Sequence, residues 1–150
     1  MPTLTEEQIK EIADQLDCGF CSFWHRQTGK LIFFPDFDNN PFAESEFYEE
    51  ELEEINNNFS DYVEIEKPQS SDSFRIMVKF AEQLDDKNEL KYELIKALNR
   101  KKPFREFKFI IDNSGIYRQQ WFDFKNEQLI QWVVDKFNSV TFDEDENDNA

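Results

Sequence analysis

The chain has 150 residues and a net charge of −16, from 33 Asp and Glu against 17 Lys and Arg. That balance opposes general binding to nucleic acid or to an anionic membrane surface. No apolar run approaches the roughly 18 residues of a membrane-spanning helix, and the opening Met-Pro-Thr-Leu-Thr-Glu-Glu lacks the basic-then-apolar pattern of an export signal.

Thr3 or Thr5 is placed to cap a first helix, with Glu6 or Gln8 three residues on to complete a capping box. Ile9, Ile12, Ala13 and Leu16 recur at helical spacing, and Gly19 suits a left-handed C-terminal residue. Phe20–His25 and Lys30–Phe34, joined by Arg26-Gln27-Thr28-Gly29, read as a β-hairpin. Both of its faces carry large apolar groups, so helices are expected on both sides. Pro35 to Pro41 reads as a loop. Glu44–Asn58 reads as a helix whose Phe47, Tyr48, Leu52 and Ile55 form a thin apolar stripe. Tyr62–Glu66 alternates and predicts a third strand with one solvated face. Pro68 and Ser70-Ser71 mark a loop and the next N-cap.

Beyond that point the pattern is helical. Phe74, Met77, Val78, Ala81 and Leu84 predict the inner face of one helix, and Leu90, Leu94, Ala97 and Leu98 that of a second. Pro103 suits the first turn of a third, carrying Phe104, Phe107, Ile110 and Ile111. After Gly115 a long helix is predicted to about Asn138, with Phe122, Leu129, Val133 and Phe137 inward. With 17 Phe and 3 Trp the core has ample apolar volume. The expected fold is α+β: a three-stranded antiparallel sheet with a C-terminal helical cluster. It occupies one domain over 1–140, and a disordered acidic tail follows over 141–150.

The Thr28-Gly29 turn, the strand Tyr62-Val63-Glu64-Ile65 and the string Ser73-Phe74-Arg75-Ile76-Met77 with Phe80-Ala81-x-x-Leu84-Asp85 come in a recognisable order. They continue through Ala97-Leu98 and Phe104-Arg105-x-Phe107-Lys108 to Trp121-Phe122-x-Phe124. In this the chain resembles the bacterial uncharacterised protein family 0158 over about residues 4–137. Where that family often has Gly-Arg-Gly, this chain has Arg100-Lys101-Lys102-Pro103. The resemblance implies a fold and no particular activity.

Residues with chemical potential fall into poor arrangements for catalysis. Cys18-Gly19-Phe20-Cys21 closes a helix and opens a strand, the reverse of a thioredoxin-like pair, so buried inert thiols are expected. Two cysteines without an export signal point to a reducing cytosol and no structural disulfide. For zinc, His25 is the only further soft candidate, and at ~3.3 Å per residue it lies about 13 Å along the strand from Cys21. His25 has no nucleophile with an orienting acid beside it in sequence, and the turn after it accounts for a polar residue there. Asp36-Phe37-Asp38-Asn39-Asn40 begins like a calcium loop, but Pro41 and Phe47 stand where Gly and Glu are required. Glu64 and Glu66 share an outward strand face, where solvent should keep their titration ordinary. No metal, no cofactor and no phosphate-binding glycine loop is expected.

Charge is distributed more tellingly. From Asp36 to Glu66 there are 12 acids and no Lys or Arg, whereas Arg75 to Lys108 holds 10 basic residues against 6 acids. Segregated charge of this kind selects partners. The expected function is a non-enzymatic protein-interaction or adaptor domain with a charge-polarised surface. Arg100, Lys101, Lys102 and Arg105 would meet a protein partner's acidic face, and Glu49, Glu50, Glu53 and Glu54 would form the opposite pole. A structural alternative is that the basic set offsets the acidic helix or the tail. The functional alternatives are an acidic nucleic-acid mimic that inhibits a basic DNA- or RNA-binding protein, and a hydrolase built around His25. A groove for single-stranded nucleic acid on the basic set is opposed by the net charge.

Overall fold

The computed structural model describes residues 3–38 and 44–148, with side chains as far as residue 140. The tail expected over 141–150 therefore lies outside the described side chains. Helix α1 spans Glu6–Asp17, α2 Glu49–Asn57, α3 Ser70–Gln83, α4 Glu89–Leu98, α5 Pro103–Asp112 and α6 Ile116–Asp148. The strands are β1 (Phe20–His25), β2 (Leu31–Pro35) and β3 (Tyr62–Ile65), all antiparallel in the order β2-β1-β3. The fold is α+β, with most helices in the C-terminal half. The chain forms two compact units, the first made of residues 1–67 and 129–150, the second of 68–128.

In the first unit, Thr5 and Gln8 close the capping box that starts α1. The Gln8 N–H donates to Thr5 Oγ1 at 3.1 Å and the Thr5 N–H to Gln8 Oε1 at 3.2 Å. Gly19, at φ +84°, then turns the chain into β1. Trp24 of β1, with Val63 and Ile65 of β3, packs against Ile12, Ala13 and Leu16 of α1 and Leu129, Val133 and Phe137 of α6. The opposite sheet face presents Phe23, Ile32, Phe34 and Tyr62 to Ile55, Tyr48 and Leu52. Helices therefore cover both faces, as the two apolar sides of the hairpin predict. Strand β3 departs from the expectation of a solvated face. Tyr62 is buried against the His25 ring, their centroids 4.9 Å apart, so only Glu64 and Glu66 are left exposed.

The segment expected as one helix from Glu44 begins instead as a 3₁₀ turn, Ser45–Tyr48, and becomes α-helical at Glu49. No side-chain cap holds its start, and the tighter turn satisfies terminal groups that an uncapped α-helix leaves open.

The second unit packs α3, α4, α5 and the first part of α6 around Phe80, Leu94, Phe107, Ile111 and Trp121. Helix α3 is capped by Gln69, not by a serine. The Gln69 N–H donates to Asp72 at 3.0 Å, and the two serines occupy the first turn. In α4 the Asn88 carboxamide accepts the Leu90 N–H at 3.0 Å. In α5 the buried positions are Phe107 and Ile111, whereas Phe104, expected inward, is 40% exposed.

Candidate interaction surface

Between α4 and α5 the chain passes through Asn99 to Lys102 with no glycine, and Lys102 takes a left-handed conformation at φ 60° and ψ 56°. Pro103 then opens α5 and supplies no donor that would need a partner. This bend throws Arg100, Lys101 and Lys102 outward and starts α5 with Arg105 and Lys108 exposed. Arg100 Nη1 reaches Glu106 Oε2 at 3.3 Å. Lys101, Lys102, Arg105 and Lys108 form no ion pair among the described residues. Phe109, four residues after Arg105 and so on its face of the helix, is 69% exposed.

A left-handed conformation costs an L-residue about 1–2 kcal/mol, part of which glycine forfeits through its freer unfolded chain. Lys102→Gly is therefore expected to stabilise the protein by about 0.5–1 kcal/mol, read as a higher urea midpoint at unchanged slope.

The acidic set lies on α2. Glu49, Glu50, Glu53 and Glu54 are all exposed. Glu54 is held in place, its Oε1 accepting from the Tyr62 hydroxyl at 3.0 Å. Burial pushes the Tyr62 phenol up, and that hydrogen bond to Glu54 adds to the shift. Glu50 and Glu54, joined by Glu51, line a cleft of about 430 Å³ with Lys30, Leu31, Ile32 and Phe33. Glu49 and Glu53 are not among its lining residues. The acidic and basic sets thus fall in different units. The first unit holds 5 basic and 23 acidic residues, net −18, and the second 12 and 10, net +2, which together give −16.

The catalytic candidates are otherwise engaged. His25 Nδ1 accepts the backbone N–H groups of Gln27 and Thr28, each at 3.1 Å, so the imidazole organises the hairpin turn. Cys18 and Cys21 are free thiols, but against the expectation of buried thiols Cys18 is exposed and Cys21 only half-buried; Cys21 is pushed up by that burial, with Asp36 and Glu64 adding to the effect. A raised thiol is a poor nucleophile at neutral pH. Asp36 accepts the Asp38 N–H at 3.2 Å and pairs with Lys67 at 2.9 Å; Asn39 to Ala43 lie outside the described residues. Among the described residues no group of three His, Cys, Asp or Glu is placed to hold a metal ion, and no helix is long and apolar enough to cross a membrane.

Glu64 corrects the expectation of an ordinary carboxyl. Opposite Phe23 in the sheet, it is raised first by partial burial of its carboxyl, although the residue as a whole is exposed, and then by the charge of Glu66. A carboxyl raised on folding contributes stability below its unfolded pKa and loses it as pH climbs through the folded value. Ionised Glu64 thus opposes folding near neutrality. Glu64→Gln is expected to raise Tm there, with the gain vanishing below about pH 4, where the native carboxyl is protonated in both states. Thermal melts at both pH values measure it.

Sequence reasoning found the basic and acidic sets but missed the cleft, which depends on β2 lying at a sheet edge beside α2. No curated protein and no solved structure matches the chain. A family model does match, across residues 3–148 and hence both units, and the chain belongs to the Uncharacterised protein family (UPF0158).

Proposed function

We propose that this chain is a non-enzymatic interaction domain whose basic surface, on the α4–α5 bend and the outer side of α5, docks an acidic face of a protein partner. One observation carries the reading: Lys101, Lys102, Arg105 and Lys108, which form no ion pair among the described residues, are interleaved with exposed Phe104 and Phe109. Arginine and aromatic side chains supply most of the energy at protein interfaces, and surrounding lysines steer the encounter. The net charge of −16 opposes the approach of a long polyanion such as nucleic acid, whereas a compact acidic face needs only the local positive surface. The second pole, Glu49, Glu50, Glu53 and Glu54, suits a basic partner.

The test is the full-length quadruple variant Arg100→Glu, Lys101→Glu, Lys102→Glu, Arg105→Glu. Its far-UV spectrum should be native, because all four side chains are exposed. Partners captured from native lysate at low salt should fall at least about tenfold, and the wild-type capture should weaken as salt rises. Phe109→Ala should reduce the same partners without altering charge. Unchanged capture by the quadruple variant would defeat the reading.

A further inference from the structure

We infer that the free edge of β2 beside α2 is a docking groove for an extended protein segment that alternates basic and apolar side chains. The inference rests on the acidic half of the reading above and specifies how that pole would be used. Strand β1 is central, so among the described residues β2 is bonded on one side only. The phase of its ladder is fixed at the turn, where the His25 N–H donates to Lys30 O at 2.8 Å. Bonded pairs in an antiparallel ladder alternate, so His25/Lys30, Phe23/Ile32 and Cys21/Phe34 are the bonded pairs. Leu31 and Phe33 consequently turn their N–H and C=O groups away from β1. Among the described residues nothing bonds to them on that side.

A free edge is a template for another strand. Here it opens into the 430 Å³ cleft shared with Glu50, Glu51 and Glu54. Among the described residues no cation pairs with these three carboxylates, and Tyr62 fixes one oxygen of Glu54. Lys30, also in the lining, is the only positive group there. Side chains of an added strand would alternate with those of β2. On the side of Ile32 they would lie beside the α2 carboxylates and favour Lys or Arg. On the side of Leu31 and Phe33, both half-buried against the α1 face of the sheet, they would favour Val or Ile. Pro35 offers no N–H and limits the groove at that end.

The experiment titrates fluorescein-labelled peptide of alternating lysine and valine with the full chain, in low salt. Saturable binding is expected, together with slowed hydrogen exchange at the Leu31 and Phe33 amides. Affinity should fall at least about tenfold with Glu50→Lys, Glu51→Lys, Glu54→Lys protein, and by a similar factor when the peptide carries N-methyl groups on alternate backbone nitrogens. The corresponding Glu→Gln protein gives a milder loss and guards against misfolding. The quadruple variant on the α4–α5 bend should bind this peptide normally, so the two proposals fail separately. Equal affinity for the N-methylated peptide, or for the charge-reversed protein, would overturn the groove. So would protection of the Leu31 and Phe33 amides in a dimer of the protein alone, which would give the edge to a second copy of the chain.

Discussion

Replacing Phe80 with alanine is expected to cost about 3–5 kcal/mol, a large fraction of the 5–15 kcal/mol that holds a typical domain together. Phe80 is fully buried at the centre of the second unit. Its ring lies 5.4 Å from Trp121 at an interplanar angle of 66° and 5.5 Å from Phe124. The loss therefore combines transfer of a large apolar surface, an unfilled cavity and two oriented aromatic contacts. Phe80→Leu should cost much less, since most of the volume remains. Urea unfolding followed by tryptophan fluorescence measures both. In a double-mutant cycle with Trp121→Leu, a coupling of about 0.5–1.5 kcal/mol is expected. A loss below about 1 kcal/mol for Phe80→Ala would mean that the neighbours collapse into the gap, and would remove Phe80 as the anchor of this core.

In the first unit the corresponding residue is Trp24, again with no exposed surface, and in edge contact with Phe137 at 4.9 Å. Trp24→Ala is expected to cost about 3–5 kcal/mol. One feature pulls the value toward the lower end: the buried indole Nε1 has no acceptor among the described residues, so its removal relieves an unmet donor. Trp24→Phe isolates that point. It keeps most of the aromatic contact, discards the N–H, and should cost less than about 1.5 kcal/mol. If Trp24→Phe is as damaging as Trp24→Ala, the indole N–H has a partner, a buried water being the obvious one.

The helices and the hairpin were legible because their signals are local. The Thr5–Gln8 box, the Thr28-Gly29 turn, Pro103 at the head of α5 and the apolar spacing of α4 each determine a few residues of backbone without help from elsewhere. Phe80 shows where local reasoning stops. The most regular helical stripe through α3 runs Phe74, Met77, Val78, Ala81, Leu84, yet the buried members are Met77, Phe80 and Ala81. Which part of a broad apolar face becomes fully enclosed is decided by the partner helices, here through Trp121. Phe104 errs in the opposite direction, since its spacing fits the core face but its place in the first turn leaves it at the margin. Both charged sets could be read directly, because long runs of one sign need no fold to be seen. The cleft could not, since it requires knowing that β1, not β2, is central.

The exposed rim of β2 also bears on colloidal behaviour. Strands left open in this way are where soluble proteins begin to polymerise into fibrils. Two identical molecules approaching rim to rim would each bring Glu50, Glu51 and Glu54 to the seam, and that mutual repulsion keeps the strands of like molecules apart. Near the isoelectric point, at about pH 4.4, these guards are partly neutralised and the net repulsion between molecules is smallest, so precipitation there would start from this strand.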